Sequence, residues 1–179
     1  DIVKRLLNAA ETHDTDIIVD IEGDKLYTQP EFVDISVNTM IDSDYDFVMG
    51  SSSSDSVDHS DHSVAAVFPA VIKKSILEKV YSMKTDNKTE TGYREYFTSN
   101  SNFNCKYISL PNIEIPKNLR LTIDYEEDLE LAKIILQNLG NSFSFFDIIE
   151  LFKINPDLSK ITNKVINKWK KNYDQNFLR

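Results

Sequence analysis

Two places in this sequence share one form, a short apolar stretch that ends in an aspartate. One is Ile21-Glu22-Gly23-Asp24 and the other is Leu121-Thr122-Ile123-Asp124. In open α/β sheets ligands bind outside the carboxyl ends of the strands, so an acid placed there faces a cleft. Two carboxylates, completed by phosphate oxygens and water, make a usual cradle for Mg2+. Neighbouring strands would let one divalent cation touch both. The same residues also have a purely structural reading. Asp124 is a good helix N-cap, and Asp24 is a natural turn residue after Gly23. Spacing leaves both readings open.

Other side chains must be weighed beside this pair. Arg120 shares a face with Thr122 and Asp124, where it suits a carboxylate or a phosphate. Its alternative is an ion pair with a nearby acid such as Glu22. Asp20 stands between Val19 and Ile21, where a lone charge is costly unless it reaches the strand end or a cation. Asp58-His59-Ser60-Asp61-His62 has metal-binding residue types, but no regular element holds them still, so it reads as a solvated loop. Cys105 has only Lys106 beside it and reads as a partly buried small residue. Asn87-Lys88-Thr89 matches a glycosylation sequon by pattern only. Lys168, Lys170 and Lys171 around Trp169 read as a snorkelling helix face.

The elements that must position these groups follow from periodicity. Ile2, Val3, Leu6, Leu7 and Ala10 step at helical spacing. Residues 16–22 read as a buried strand broken by Gly23. Thr28 and Glu31 form a capping-box pair for a helix with Pro30 in its first turn. Strands are expected at 46–49, 64–68 and 107–110. Tyr93 to Thr98 reads as a short helix. Leu119 to Ile123 alternates as a strand, and a helix capped by Asp124 runs to Gly140. Two further helices follow, one through Phe145 and Phe152, the other through Leu158 and Trp169. The alternation points to one layered α/β domain over 1–179 with a mainly parallel sheet. Residues 141–179 form a helical C-terminal extension of it.

Composition narrows the function classes. The 179 residues are 41% hydrophobic and 27% charged, as in an ordinary globular chain. Twenty-nine acids against 20 Lys and Arg give a net charge of −9, which disfavours nucleic acid. A metal ion could still neutralise nucleotide phosphates locally. A single cysteine and no visible signal peptide suggest a reducing, cytoplasmic setting. No apolar run approaches the roughly 20 residues of a membrane helix. The chain opens inside a helix and without Met, so the N-terminus of the protein is expected upstream.

One family resemblance joins these pieces. Ile17-Ile18-Val19-Asp20-Ile21-Glu22-Gly23-Asp24, then Pro30-Glu31-Phe32-Val33-Asp34, resembles the strand, turn and helix of the sugar cytidylyltransferases. Arg120 to Glu130 (R-L-T-I-D-Y-E-E-D-L-E) resembles their "R-L-T-V-D-x-x-E-D-L-E" segment. Tyr93 to Thr98, Phe68 to Ile72 and Leu77 to Val80 also fit. The closest branch is the spore-coat-polysaccharide type, related to the acylneuraminate and octulosonate enzymes. Asp20 and Leu26 depart from it, since Arg and Pro are common there.

The resemblance implies a GT-A type, nucleotide-diphospho-sugar transferase-like fold, here without the first strand and phosphate-cradling loop. It implies transfer of a cytidylyl group from CTP to an acidic or amino sugar, with Mg2+ held by Asp24 and Asp124. Arg120, Glu95 and Tyr93 become candidate substrate contacts, and a homodimer is a common arrangement. A binding or scaffold protein that has lost turnover, and a metal-dependent glycosyltransferase, remain alternatives of similar fold.

Overall fold

A computed structural model describes residues 1–57, 62–84, 93–110 and 112–177. The chain opens with α1 (Ile2–Thr12), where Asp1 accepts from the Lys4 amide at 3.1 Å and so caps the helix. Val3, Leu7 and Ala10 form its buried stripe. There follow β1 (Ile17–Asp20), α2 (Pro30–Asp42), β2 (Phe47–Gly50), α3 (Val64–Val67), β3 (Ala70–Lys73) and α4 (Lys74–Met83). Next come α5 (Glu95–Thr98), β4 (Cys105–Ile108), α6 (Glu126–Leu139) and α7 (Phe145–Ile154). A 3-10 turn (Pro156–Leu158) leads into α8 (Ser159–Phe177). Among the described residues, no helix is long and apolar enough to cross a membrane.

The sheet is mixed and not mainly parallel. Its order is β1-β3-β2-β4. β3 runs antiparallel to both β1 and β2, and only β2 and β4 are parallel. Ala70, which starts β3, lies opposite Asp20 and Met49 at the far ends of β1 and β2. The chain thus re-enters the sheet at the end it has just left. A parallel pairing would need a crossover to carry it back to the other end.

The strand expected at 64–68 is displaced for a related reason. Residues 64–67 form the helical turn α3, and the strand begins just past Pro69. Both stretches are short and apolar, so periodicity does not separate them. Proline has no amide for a ladder and is tolerated just ahead of a strand. Ala70, Val71 and Ile72 are fully buried in the register that results.

Residues 119–123 form no regular element and join no ladder. The Leu121 amide donates to the His62 carbonyl at 2.9 Å, and the Ile123 amide to the Asp24 carbonyl at 3.1 Å. Successive inward amides go to two different segments, so no strand pairs along them. Arg120 and Thr122 are buried as well as Leu119 and Leu121, so the alternation does not mark a solvent face.

Two caps differ from the sequence reading. At α2, Pro30 takes the first helical position after Gln29, and the Thr28 hydroxyl instead donates to the Lys25 carbonyl at 3.2 Å. At α6, Tyr125 occupies the cap position and Asp128 reaches back to the amides ahead of it. Asp124 is thereby free of capping.

Three buried clusters pack on and beside the sheet, the smallest joining Met40 of α2 to Val48 and Val71. One face, with Ile18, Phe47, Met49 and Ile72, packs against α1, α4 and Phe97 of α5. A second cluster lies beside the sheet, where Phe32, Phe68, Leu121, Leu131 and α7 residues Phe145 to Phe152 pack together. Phe68 stacks on Phe32 at 4.3 Å between ring centroids. Gly50 lets this stack approach β2, because a Cβ there would sit 2.5 Å from the Phe68 ring. Gly50→Ala is expected to destabilise the fold by about 1–3 kcal/mol in urea unfolding, as overpacking does. Gly23→Ala, with nothing within 4 Å of its added Cβ, serves as the neutral control.

Candidate active site

The chain leaving β1 carries three acids, and each meets a different environment. Asp20 accepts from the Tyr93 hydroxyl at 2.5 Å. That bond answers the cost of a charge in an apolar strand. Glu22 takes Arg94 Nη2 at 2.9 Å and Lys25 Nζ at 3.0 Å on the same oxygen. Burial works to raise its carboxyl, but Arg94 and Lys25 outweigh it and hold the group below its usual range. Lys25 also donates to the Ala65 carbonyl at 3.1 Å, tying this turn to α3. Burial and the charge of Arg94 push the Lys25 ammonium down to about 8, against the pull of Glu22.

Asp24 is the exception in this row, for its side chain has neither an ion pair nor a hydrogen-bonding side-chain partner among the described residues. Burial raises its carboxyl above the usual range, and the charges of Glu22 and Asp124 push the same way. A half-buried carboxylate held against its own charge is a place where a cation would be favoured.

The second aspartate sits in a closed arrangement. Arg120 is 1% exposed. Its Nε donates to Asp128 Oδ1 at 2.8 Å, and its Nη2 pairs with Asp124 Oδ2. The other oxygen of Asp128 accepts from the amides of Asp124 and Tyr125 at 3.0 and 3.1 Å. Arg120 therefore pairs with these acids and not with Glu22, whose cations are Arg94 and Lys25. The guanidinium also lies 5.7 Å from the Tyr125 ring centre, and Lys168 Nζ lies 4.7 Å from it.

The two aspartates come together. The Ile123 amide binds the Asp24 carbonyl at 3.1 Å, so Asp124 follows directly where the two turns touch. Asp124 is near enough for its charge to act on Asp24. Among the described residues no group of three His, Cys, Asp or Glu converges on a metal position. Two carboxylates completed by substrate oxygens is nevertheless a normal way to hold Mg2+. Hard carboxylate oxygens fit that ion, and the Asp24 carboxyl is raised first by burial and then by like charge.

The remaining candidates fall into two groups. Tyr93 is 2% exposed and its hydroxyl is committed to Asp20, and Arg120 is just as buried. Both hold acids in place, so neither offers an open face to a substrate. Glu95 is half-buried and accepts from the Tyr173 hydroxyl of α8 at 2.5 Å. α8 also reaches the site elsewhere. Trp169 packs edge-on to His62 at 4.1 Å, and His62 Nδ1 lies 3.1 Å from Thr122 Oγ1. The Lys168–Trp169 stretch thus packs on the site's margin and is more than a snorkelling face. His62 is engaged, while the rest of the Asp58–His62 run and the Asn87-Lys88-Thr89 sequon lie outside the described residues. Cys105 is half-buried, its thiol pushed up to about 11 by burial.

Sequence reasoning missed Lys25, Arg94, Asp128 and Tyr173. Asp128 had a signal, since an acid four residues past Asp124 can turn back on its amide. Arg94 and Tyr173 had none, because their partners lie far along the chain, whereas Lys25 stands only three residues from Glu22.

The mixed sheet flanked by helices, with two acidic turns meeting beside it, has a nucleotidyltransferase-like architecture. No protein-family sequence model matches the chain. Its structure is similar to that of a cytidylyltransferase from Leptospira borgpetersenii serovar Hardjo-bovis (strain JB197), with a TM-score of 0.73 and 26% identity. That match covers 91% of this chain and 66% of the other. An uncharacterised protein of Methanocaldococcus jannaschii is 24% identical over 167 residues, 92% of this chain and 65% of its own. The chain therefore spans just under two thirds of each of these relatives.

The buried lysine makes a pH signature. The unfolded chain keeps the Lys25 proton to about 10.5, and the folded one only to about 8. Between those values the unfolded state binds more protons, so this contribution to stability rises with pH. The stability difference between the protein and its Lys25→Met variant is expected to shift by about 3 kcal/mol over that window in favour of the unsubstituted protein. Urea unfolding at pH 8 and at pH 10.5 checks it, and a constant difference would refute the assignment.

Proposed function

We propose that this chain is part of an enzyme that transfers a cytidylyl group from CTP to an acidic or amino sugar. The observation that supports it most is the junction of the two acidic turns, where the Ile123 amide meets the Asp24 carbonyl. The similarity to a cytidylyltransferase structure supports the same reading.

In this reading Asp24 and Asp124 would hold a Mg2+ ion. When bound, the ion neutralises nucleotide phosphate charge. A sugar hydroxyl oxygen forms a bond to the α-phosphorus of CTP. The bond from that phosphorus to the bridging oxygen breaks, and pyrophosphate leaves with its electron pair. The hydroxyl proton passes to solvent. Such a reaction rests mainly on positioning and charge, so the chain needs fixed carboxylates more than a strong base. Arg94 and Lys25 confine Glu22, and Tyr93 confines Asp20, which leaves Asp24 as the acid available to the ion. Glu95, at the edge under Tyr173, is the remaining candidate contact to the sugar.

Asp24→Asn and Asp124→Asn in the full-length protein are each expected to lower pyrophosphate release by more than about 100-fold. Asp24→Asn carries a second signature. The folded carboxyl is raised above its unfolded value, so its stability contribution falls as pH rises through that interval and is a deficit at neutral pH. The variant is therefore expected to melt higher than the unsubstituted protein in metal-free buffer at pH 7. Added Mg2+ should then raise the melting temperature of the unsubstituted protein and not of the variant. Equal turnover, or an equal Mg2+ response, would rule the role out.

A further inference from the structure

Asp124 stands on a segment that no sheet holds. Among the described residues, 119–123 lie outside every ladder and are secured by amides to His62 and Asp24. The Asp124 side chain is 37% exposed, so backbone position alone does not aim it. A chain of buried bonds does. Asp128, 3% exposed, grips the Asp124 amide with Oδ2 and the Arg120 Nε with Oδ1. Arg120 returns to the Asp124 carboxylate through Nη2. Backbone and side chain of Asp124 are thus tied to the same buried pair.

We propose that Arg120 and Asp128 form a clamp that aims Asp124 toward Asp24 for cation binding, making them positioning residues. The proposal rests on the metal reading of Asp24 and Asp124 given above. One oxygen of Asp124 is occupied by the guanidinium and the other is left for the ion. Two carboxylates against one guanidinium leave a net charge of one minus sign, so the pairing does not cancel the attraction for a cation. The planar fork matters because its donors, on separate nitrogens, hold two acids in a fixed relative geometry, whereas an ammonium's three donors radiate from one freely rotating point. Partners that orient a metal ligand typically change metal affinity or activity by about 10–100-fold when altered.

Two conservative variants of the full-length protein test the clamp. Arg120→Lys keeps the charge and loses the fork. Asp128→Asn keeps an oxygen for the two amides and weakens the hold on Arg120. The probe is Mn2+ alone, another oxygen-seeking ion, titrated by electron paramagnetic resonance beside thermal melting. Folded variants with Mn2+ affinity reduced about tenfold or more support the clamp. Folded variants that bind Mn2+ within about twofold of the unsubstituted protein, while Asp124→Asn binds it poorly, overturn the clamp and spare the metal reading. Asp124→Asn with unchanged Mn2+ binding overturns the metal reading and the clamp with it. Should either single variant fail to fold, Arg120→Met with Asp128→Leu replaces the buried pair by apolar bulk, a change that often preserves stability. The same two Mn2+ outcomes then decide.

Discussion

The candidate site depends on two turns being held in register by one backbone hydrogen bond, from the Ile123 amide to the Asp24 carbonyl. Everything polar around it serves to make that approach tolerable. Two carboxylates brought close repel, and burial strengthens the repulsion because there is less water to screen it. The chain answers by pairing most of its acids there with a donor. Asp20 has Tyr93, Glu22 has Arg94 and Lys25, and Asp124 and Asp128 share Arg120. Asp24 alone in the row is left without a side-chain partner among the described residues. The repulsion is thereby concentrated on one group, where a cation or a substrate-borne metal would relieve it.

The sheet provides the platform on which this occurs. Since β3 enters between β1 and β2 from the end at which both leave, Asp20 and Met49 terminate side by side across Ala70. The acids that follow β1 leave from that edge. Packing then fixes the other turn. Leu119 and Leu121 sit in the same cluster as α6 and α7, so the segment bearing Arg120 and Asp124 is positioned by hydrophobic contact on one side and by the acids on the other. The C-terminal helices are therefore part of what aims the site. α8 adds Lys168, Trp169 and Tyr173 around Tyr125, His62 and Glu95. A buried ion pair is weak evidence for stability, because desolvation offsets its attraction. Its retention at Arg120 is better explained by the orientation it imposes than by the energy it contributes.

Much of the element order was legible from periodicity, and the failures have physical causes. α1, β1, α2, β2 and α6 stand close to where apolar spacing, Gly23, Pro30 and Gly140 place them. The stretch 64–68 was misread because Val-Ala-Ala-Val-Phe is apolar without a period, and alanine favours a helical turn as readily as a buried strand. Leu119–Ile123 has the alternation of a strand but no neighbour to pair with, since its amides are taken by His62 and Asp24. Alternation reports two environments and not a ladder. In this segment both environments are interior.

Local chemistry was enough to name Asp24 and Asp124 as candidates, since an acid after a short apolar run is visible in the residues themselves, while the metal role came from the family resemblance. The strands, caps and glycine stop are equally local, because each depends on neighbours within a few positions. Partner choice is not local. That Arg94 answers Glu22, that Tyr93 is spent on Asp20, and that the sheet is mixed are decided by which distant segments packing brings into contact. An ion pair forms with whichever charge the folded chain delivers at about 3 Å, and a one-dimensional pattern carries no information about that delivery.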